Sequence, residues 1–595
     1  MNFLLVYLLP GKLLGRWSIG VYLGLLLSMA YLGVQRAESS SDAETNRAGR
    51  VSGKVGVLGI LLAIVAAGVV GSALWIHALP NLSQAPPNFD GAQHGFLTAR
   101  IVATGSARSS TIALTGPAGL SASAGYYPLG LHTTAAMVVI LGGIGVAMTL
   151  NIAVILFTAW ILPVGAVAFL RELVPNRVIV AAAGAISVVA VQPFPYKPIG
   201  WGGIPLIAGM SMALGVAALL ITVVRRRSRR FAAFAYAGGA SAGLFYTHNT
   251  EFVLAGVLGV AVVLFDEVGS VAVLKERFRD ALQGLWRVAA VMVVLVLPVL
   301  PELVRGGAER VSFDDTPLAE PLFALGQLIF LDVGGVRQGL LVIYAIVGMA
   351  ILLRANRPVL PGMALVLGLV AFWTATTDNP VSAALSFPWW RQFERVVYVE
   401  ALLAGLASAV AIGTLIEFLW GARRLVTRGI GVLAVVGVTV VSLWLPGIHA
   451  GHTIVFRSYR FYSPLSASSL KGFEVAAEHA GDGGTVVTEW NRDASLWVYA
   501  YTGAYSLFGI GVPDNSVDKT REDRIAILDG IVRAGVDPLE DELLRKYRVG
   551  SVYFDEHTYY GSDHSLTRED LMNAPGLREV FHEGSVSVFA VDISP

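Results

Sequence analysis

The sequence predicts a polytopic α-helical membrane protein of about 12 spans that ends in an extracytoplasmic α/β domain. The 595 residues are 55% hydrophobic and only 14% charged, and their mean hydropathy is strongly positive. That composition leaves too much apolar surface for a water-soluble globule. Apolar stretches of bilayer-crossing length, about 20 residues, recur as far as about Pro446, where mixed polar and charged sequence takes over.

The bulk numbers also exclude. With 43 Lys plus Arg against 42 Asp plus Glu, the chain lacks the concentrated basic surface of a nucleic-acid binder. Zero cysteines rule out a disulfide framework, a thiolate metal site and a thiol nucleophile.

Residues 1 to 34 carry no small-residue cleavage site and lead into another apolar stretch, so Trp17 to Val34 reads as a first span rather than a signal peptide. Further spans are expected near 55–79, 151–170, 178–193, 203–224, 231–246 and 252–267. Five more fall near 288–304, 338–353, 358–375, 397–420 and 429–447.

The apolar stretch His132 to Val146 is not counted as a span. Laying it along the outer surface puts Arg225 to Arg230, Lys275 to Arg287, Arg354 with Arg357, and Arg423 to Arg428 on the cytoplasmic side, as the positive-inside rule requires. Lys12 and Arg16 are mild exceptions. The expected division is a transmembrane domain over 1–449, with a long first outer loop at 80–150, and a soluble domain over 450–595. In the latter, Thr485 to Thr488 and Ser585 to Val591 read as strands and Lys519 to Ala534 as helix.

Two long outer loops, Pro80 to Thr149 and Arg305 to Arg337, hold unusual polar residues, and long loops often carry function. In Asn88-Phe89-Asp90-Gly91-Ala92-Gln93-His94 a carboxylate and an imidazole stand four apart, on one face of a short amphipathic helix running to Thr104. That pair suits a general base or part of a cation site; equally, Asp90 suits an N-cap and His94 a surface position. Tyr126-Tyr127-Pro128-Leu129-Gly130-Leu131-His132 is a proline-broken turn whose aromatics also suit an interfacial belt.

At the outer ends of later spans come Gln192 to Trp201, including Lys197, and Thr247-His248-Asn249-Thr250-Glu251. Polar groups at membrane depth are costly and therefore candidates for function. Arg391 and Arg395, in Trp389-Trp390-Arg391-Gln392-Phe393-Glu394-Arg395, could clamp a phosphate or snorkel to headgroups. The topology, fixed by other residues, puts Asp90, His94, His132, Lys197, His248, Glu251, Arg391 and Arg395 on one side.

These residues resemble the GT-C superfamily of membrane glycosyltransferases, in which a long first outer loop holds a catalytic acidic residue; Asp90 in NFDGAQH takes that position, and YYPLGLH is similar to the Tyr/His-Pro-Pro element. The likeness is nearest to an actinobacterial arabinosyl- and mannosyltransferase-like branch, whose external domain Thr488-Glu489-Trp490-Asn491-Arg492-Asp493 and Ser495-Leu496-Trp497 resemble. The sequence departs from the pattern in having a single Asp in the first loop and no second proline after YYP.

The resemblance implies transfer of a sugar, arabinofuranose first and mannose second, from a polyprenyl-phosphate donor to a cell-envelope glycan or glycolipid acceptor, with inversion. In that scheme Asp90 is the base and His94 assists it. His132, Tyr127, Lys197, His248, Glu251, Arg391 and Arg395 bind substrate or donor phosphate. A divalent cation, Mg or Mn, with Asp90 as its ligand, is left open, and no other cofactor is implied. The expected location is the plasma (inner) membrane. Two competing readings are a transporter or flippase of lipid-linked sugars and a non-catalytic envelope assembly protein; no inverted repeat and no P-loop is present.

Overall fold

The computed structural model describes residues 47–593 except 109–110, 113, 116–119, 122–126, 227–230, 269, 307–318, 332–337, 390–391, 421–424, 464, 489–493, 508–520 and 558–565. The expected first span, Tyr126, Arg391 and most of the Thr488-to-Asp493 motif lie outside the described residues.

Among the described residues seven helices are long and apolar enough to cross a membrane: α1 (Gly56–Ala78), α4 (Val146–Leu173), α6 (Ile204–Arg225), α9 (Val271–Val304), α12 (Val359–Thr376), α14 (Phe393–Trp420) and α15 (Gly429–Tyr462). Shorter apolar helices lie between them: α3 (Gly130–Gly142), α5 (Val178–Ala190), α8 (Asn249–Phe265), α10 (Pro321–Phe330) and α11 (Gly339–Arg354). The first outer loop contributes α2 (Asn88–Thr104), α7 is Phe231–Thr247 and α13 is the short helix Pro380–Ser386. The chain is thus a multi-pass membrane protein.

Three elements differ from the sequence reading. The span expected at 151 begins at Val146, directly after α3. A ten-residue apolar helix, α10, lies within the second long outer loop, which the sequence reads as irregular. The last membrane helix does not stop near 447 but runs on to Tyr462.

Two of the long helices carry a π-turn, at Leu156–Ile161 and Val440–Trp444. Each lies just before a proline, Pro163 and Pro446. A proline ring clashes with the carbonyl four residues back, and one widened turn accommodates it without breaking the helix.

Lipid exposure and burial divide as a bilayer requires. Leu58, Leu61, Leu62, Val65 and Val69 of α1 are exposed, which only a hydrocarbon solvent makes stable. By contrast α14 is buried along Val396–Gly413 and packs chiefly against α5, α11 and α12. Small residues permit this closeness: a Cβ on Gly348 would stand 1.8 Å from Ala407 O, the small-residue packing typical of membrane helices.

After Tyr462 the chain enters an α/β unit. A capping box at Ser466 starts α16 (Ala467–Ala480), followed by β1 (Thr485–Val487), α17 (Val498–Thr502), β2 (Tyr505–Ser506), α18 (Arg521–Gly530), α19 (Pro538–Lys546), β3 (Val549–Asp555), β4 (Leu577–Glu583) and β5 (Val586–Val591). The five strands form one mixed sheet, ordered β2-β1-β3-β5-β4, with β1 parallel to both neighbours and β5 antiparallel to β3 and β4.

This unit is tied to the membrane region at the first outer loop. Gln84 Nε2 donates to Ser463 Oγ at 2.7 Å, and Ser463 Oγ donates to Ala85 O at 2.8 Å. Asn151 donates to Leu82 O and Gln84 O and accepts from the Tyr459 hydroxyl at 2.5 Å. The first outer loop is therefore held by both parts of the protein.

Candidate active site

α2 owes its position to backbone contacts that few residues allow. Pro87 is its N-cap, in extended conformation, and Asn88 opens it at φ 63°, a left-handed value that asparagine tolerates better than most residues. Beneath it lies Gly202 at φ +82°, where a Cβ would stand 2.2 Å from Gly91 N and 2.8 Å from Pro87 O. Only glycine fits, so Trp201-Gly202 forms a floor under Asp90.

The structure decides between the local alternatives. Asp90 is not an N-cap: Pro87 holds that place, and Asp90 sits within the first turn, where the positive end of the helix dipole favours an anion. His94 is not a surface residue but 3% exposed.

Asp90, His94, Tyr127, His132, His248, Glu251 and Arg395 come together at one end of the helix bundle. His132 Nε2 and His94 Nδ1 share a hydrogen bond of 3.0 Å, and the Tyr127 ring meets the His132 ring edge-on at 5.8 Å. His248, at the junction of α7 and α8, touches the Glu251 carboxylate through Nδ1. Glu251 is fully buried, and its other oxygen has no hydrogen-bond partner among the described residues. Gly209 of α6 makes room for this pair, since a Cβ there would meet His248 Cβ at 2.8 Å.

Arg395, in the first turn of α14, stacks its guanidinium over the Trp201 ring at 5.0 Å and donates from Nε to Gln392 Oε1 at 2.6 Å. Its charge acts on Asp90, Glu251 and Tyr127 together. This is an inward placement, with an aromatic face and an acidic neighbourhood, rather than a snorkelling one.

Burial and charge set the protonation states. Desolvation pushes the Asp90 carboxyl up to about 6, and the Arg395 guanidinium holds it from going further. At neutral pH Asp90 is an anion, more basic than an ordinary carboxylate. Burial pushes His94 well below its usual value, and the neighbouring His132 and His248 act in the same direction. His132 is pushed down to about 3 by burial. Two neutral imidazoles sharing one hydrogen bond can orient and donate, but they are poor bases. Tyr127 is pushed up, by burial first and then by the Asp90 charge, and stays a hydroxyl donor.

One expected member is not brought in. Lys197 begins the 3₁₀ turn Lys197–Trp201, yet no contact of its side chain with the cluster occurs among the described residues; the turn delivers Trp201 instead. Arg391 lies outside the described residues. Sequence reasoning reached Trp201 only as the end of the Gln192-to-Trp201 stretch and missed Gly202 as part of the site. The signal available was the Trp-Gly-Gly triplet at 201–203, where glycine marks close backbone approach.

Among the described residues the donors at this cluster do not by themselves make a cation site. Among the described residues no three His, Asp or Glu side chains converge to hold a metal ion. One nitrogen of His94 and one of His132 are taken by each other. Mg and Mn prefer several oxygen ligands, and Asp90 would offer one carboxylate beside a guanidinium.

No curated protein matches the sequence. Among solved structures the chain is similar to the oligosaccharyltransferase of Archaeoglobus fulgidus in its apo form, with a TM-score of 0.50 and 14% identity over 83% of this chain and 69% of that one. The same archaeal enzyme, solved with an inhibitory peptide and a dolichol-phosphate, aligns at a TM-score of 0.49, 14% identity and the same coverage. A mycobacterial arabinofuranosyltransferase, AftD, aligns at a TM-score of 0.48 and 17% identity over 89% of this chain and 41% of that one. The apo oligosaccharyltransferase likeness concerns the fold alone. The sequence matches the family of unknown function DUF6541 over residues 9–593, and the chain belongs to that family.

Proposed function

We propose that the protein transfers a sugar from a polyprenyl-phosphate donor to an acceptor hydroxyl on the outer side of the plasma membrane, as an inverting GT-C glycosyltransferase. The observation that carries the reading is the placement of Asp90: a carboxylate raised to about 6, facing the Arg395 guanidinium, in a fold shared with a membrane oligosaccharyltransferase.

The chemistry follows from the parts. The donor brings its own leaving group, a lipid phosphate, so the protein must activate a hydroxyl and receive a departing anion. Asp90 takes the acceptor proton as the acceptor oxygen bonds to the anomeric carbon from the face opposite the phosphate. The C–O bond to phosphate breaks, its electron pair leaves with the phosphate, and Arg395 stabilises that charge. Tyr127 and the His94–His132 pair donate hydrogen bonds that orient the reactants. The apolar spans solvate the polyprenyl tail.

The α/β unit faces the same outer side, because the first outer loop that holds Asp90 is hydrogen-bonded to the start of that unit. Arabinofuranose is the favoured sugar and mannose the second, both from the sequence resemblance.

The test is purified protein in lipid nanodiscs with radiolabelled polyprenyl-phosphate arabinofuranose or mannose and a cell-envelope extract. A labelled product that survives mild acid cleavage of the donor supports transfer. In sealed vesicles, label that crosses the membrane with no glycosidic product would replace this reading with the transporter.

A further inference from the structure

The face of α2 turned away from Asp90 borders an apolar groove. At 100° per residue, Ala99 and Ala103 lie on the side of α2 opposite Asp90 and His94, with Val102 on the flank between. Together with Val139 of α3, Gly145 and Val146 at the start of α4, and Tyr499, Ala500 and Gly503 of the α/β unit, they line a groove of about 290 Å³, with no charge among the described residues of its lining. That volume is near the small end of ligand pockets, suited to part of a hydrocarbon chain rather than to a whole lipid.

Three features specify its occupant. First, the groove is continuous with the lipid-facing surface: on α3, whose Val139 forms one wall, Val138, Ile140 and Leu141 are exposed, as are Ile152 and Leu156 on α4. Second, two glycines keep it open. No atom lies within 4 Å of a Cβ built on Gly145 or on Gly503, so side chains there would project into space. Third, a polar station stands beside it: Arg100 Nη1 donates to the Tyr499 hydroxyl at 2.8 Å, with the guanidinium 5.3 Å from the Tyr499 ring and 5.7 Å from the Tyr505 ring. A groove with a hydrocarbon mouth and a polar border fits an amphiphile of the outer leaflet.

From these we infer that the acceptor is lipid-anchored and that part of its hydrocarbon chain lies in the groove between α2, the α3–α4 turn and α17. The inference rests on the transferase reading and names its second substrate class. The donor phosphate belongs with Arg395 on the other face of α2, so the helix itself separates the two tails. Ala99 lies about 14 Å along the helix from Asp90, which places an acceptor head beside the reaction centre while its tail stays anchored.

The experiment is photolabelling in phosphatidylcholine nanodiscs with two probes, an n-decyl glucoside with a diazirine at the chain end and a phosphatidylglycerol with a diazirine on one acyl chain. The decyl glucoside should label peptides containing Ala99–Ala103, Gly145–Val146 and Tyr499–Gly503 in preference to the lipid-facing surface of α1. Gly145 has φ −65°, which any residue adopts, so Gly145→Phe fills the groove without backbone strain and should cut that labelling about tenfold. Ala103→Phe, from the opposite wall, should do the same if Gly145→Phe fails to fold.

Equal labelling of α1, or groove labelling that survives both substitutions, overturns the inference. Equally strong groove labelling by the phosphatidylglycerol probe overturns it too, by making the groove a slot for bulk lipid. Labelling needs no turnover and should persist in Asp90→Asn, so a failure here and a failure of the transferase reading give different results.

Discussion

The two ends of the helix bundle use charge in opposite ways. At the end expected to face the cytoplasm, cations close helix termini. Arg357 donates to Leu173 O and pairs with Glu267, Arg225 donates to Glu172 O, Arg277 donates to Asp266 O and to Val263 O, and Arg177 pairs with Glu417. Asp266 in turn accepts from Val359 N at 3.1 Å, at the start of α12. Each cation meets a carbonyl at or just past the end of a helix, or a carboxylate from another element.

At the other end the Arg395 guanidinium acts on two carboxyl groups and two phenols, and neutral imidazoles bond each other. The first arrangement ties helices together. The second keeps a basic carboxylate in a partly buried place at a cost in desolvation. Charge that binds structure is paired with backbone and partner; charge kept for chemistry is left raised and close to another reactive group.

Substitutions that break or sharpen this contrast can be ordered by size. Gly202→Ala places a Cβ onto Gly91 N and strains a left-handed residue, so it should displace Asp90 and lower transfer by about 100-fold, the scale of a misplaced reacting group. The check is turnover per folded molecule by size-exclusion-quantified protein.

Arg395→Gln should lower the rate by roughly tenfold or more by removing a charge-assisted contact to phosphate. It should also move the pH profile. Arg395 lowers the Asp90 pKa, so its loss raises that pKa, and the acid limb of the rate profile shifts above its wild-type midpoint near pH 6. A loss of rate with an unmoved limb would separate Arg395 from Asp90.

Arg357→Met should leave turnover per folded molecule unchanged and reduce stability by about 1–3 kcal/mol, because it orphans a buried carbonyl, read as a lower thermal midpoint. Arg177→Met should do less, at most about 1 kcal/mol, because Arg177 and Glu417 are 30% and 26% exposed at the side chain.

Much of the fold was legible because bilayer crossing imposes a length and a polarity that sequence records directly. The bounds of α2 were legible for a local reason: Pro87 and Gly105 stand at its two ends. β1 and β5 were legible as short valine-rich runs with glycine just before them.

What was not legible depended on tertiary contact. α10 is only ten residues long and fails a test tuned to 20. The extension of α15 to Tyr462 lies in amphipathic sequence, His449 to Tyr462, where hydropathy falls though the helix continues. Lys197 was an attractive cation, but the 3₁₀ turn spends its geometry on presenting Trp201. The role of Gly202 exists only once α2 packs onto it, and no single-chain pattern states that contact. The composition of the acidic and imidazole cluster was readable from sidedness, whereas the raised Asp90 and the paired imidazoles required burial to be seen.

The contrast between the two ends reduces to one comparison, Asp90→Asn against wild type, with transfer rate and thermal midpoint measured on the same preparation. Removing a desolvated charge should leave the midpoint unchanged or higher, while transfer falls by about 10³-fold, the scale of a lost general base. Wild-type transfer by the variant, or a loss of transfer explained entirely by a collapsed midpoint, would contradict the assignment of Asp90 as the base.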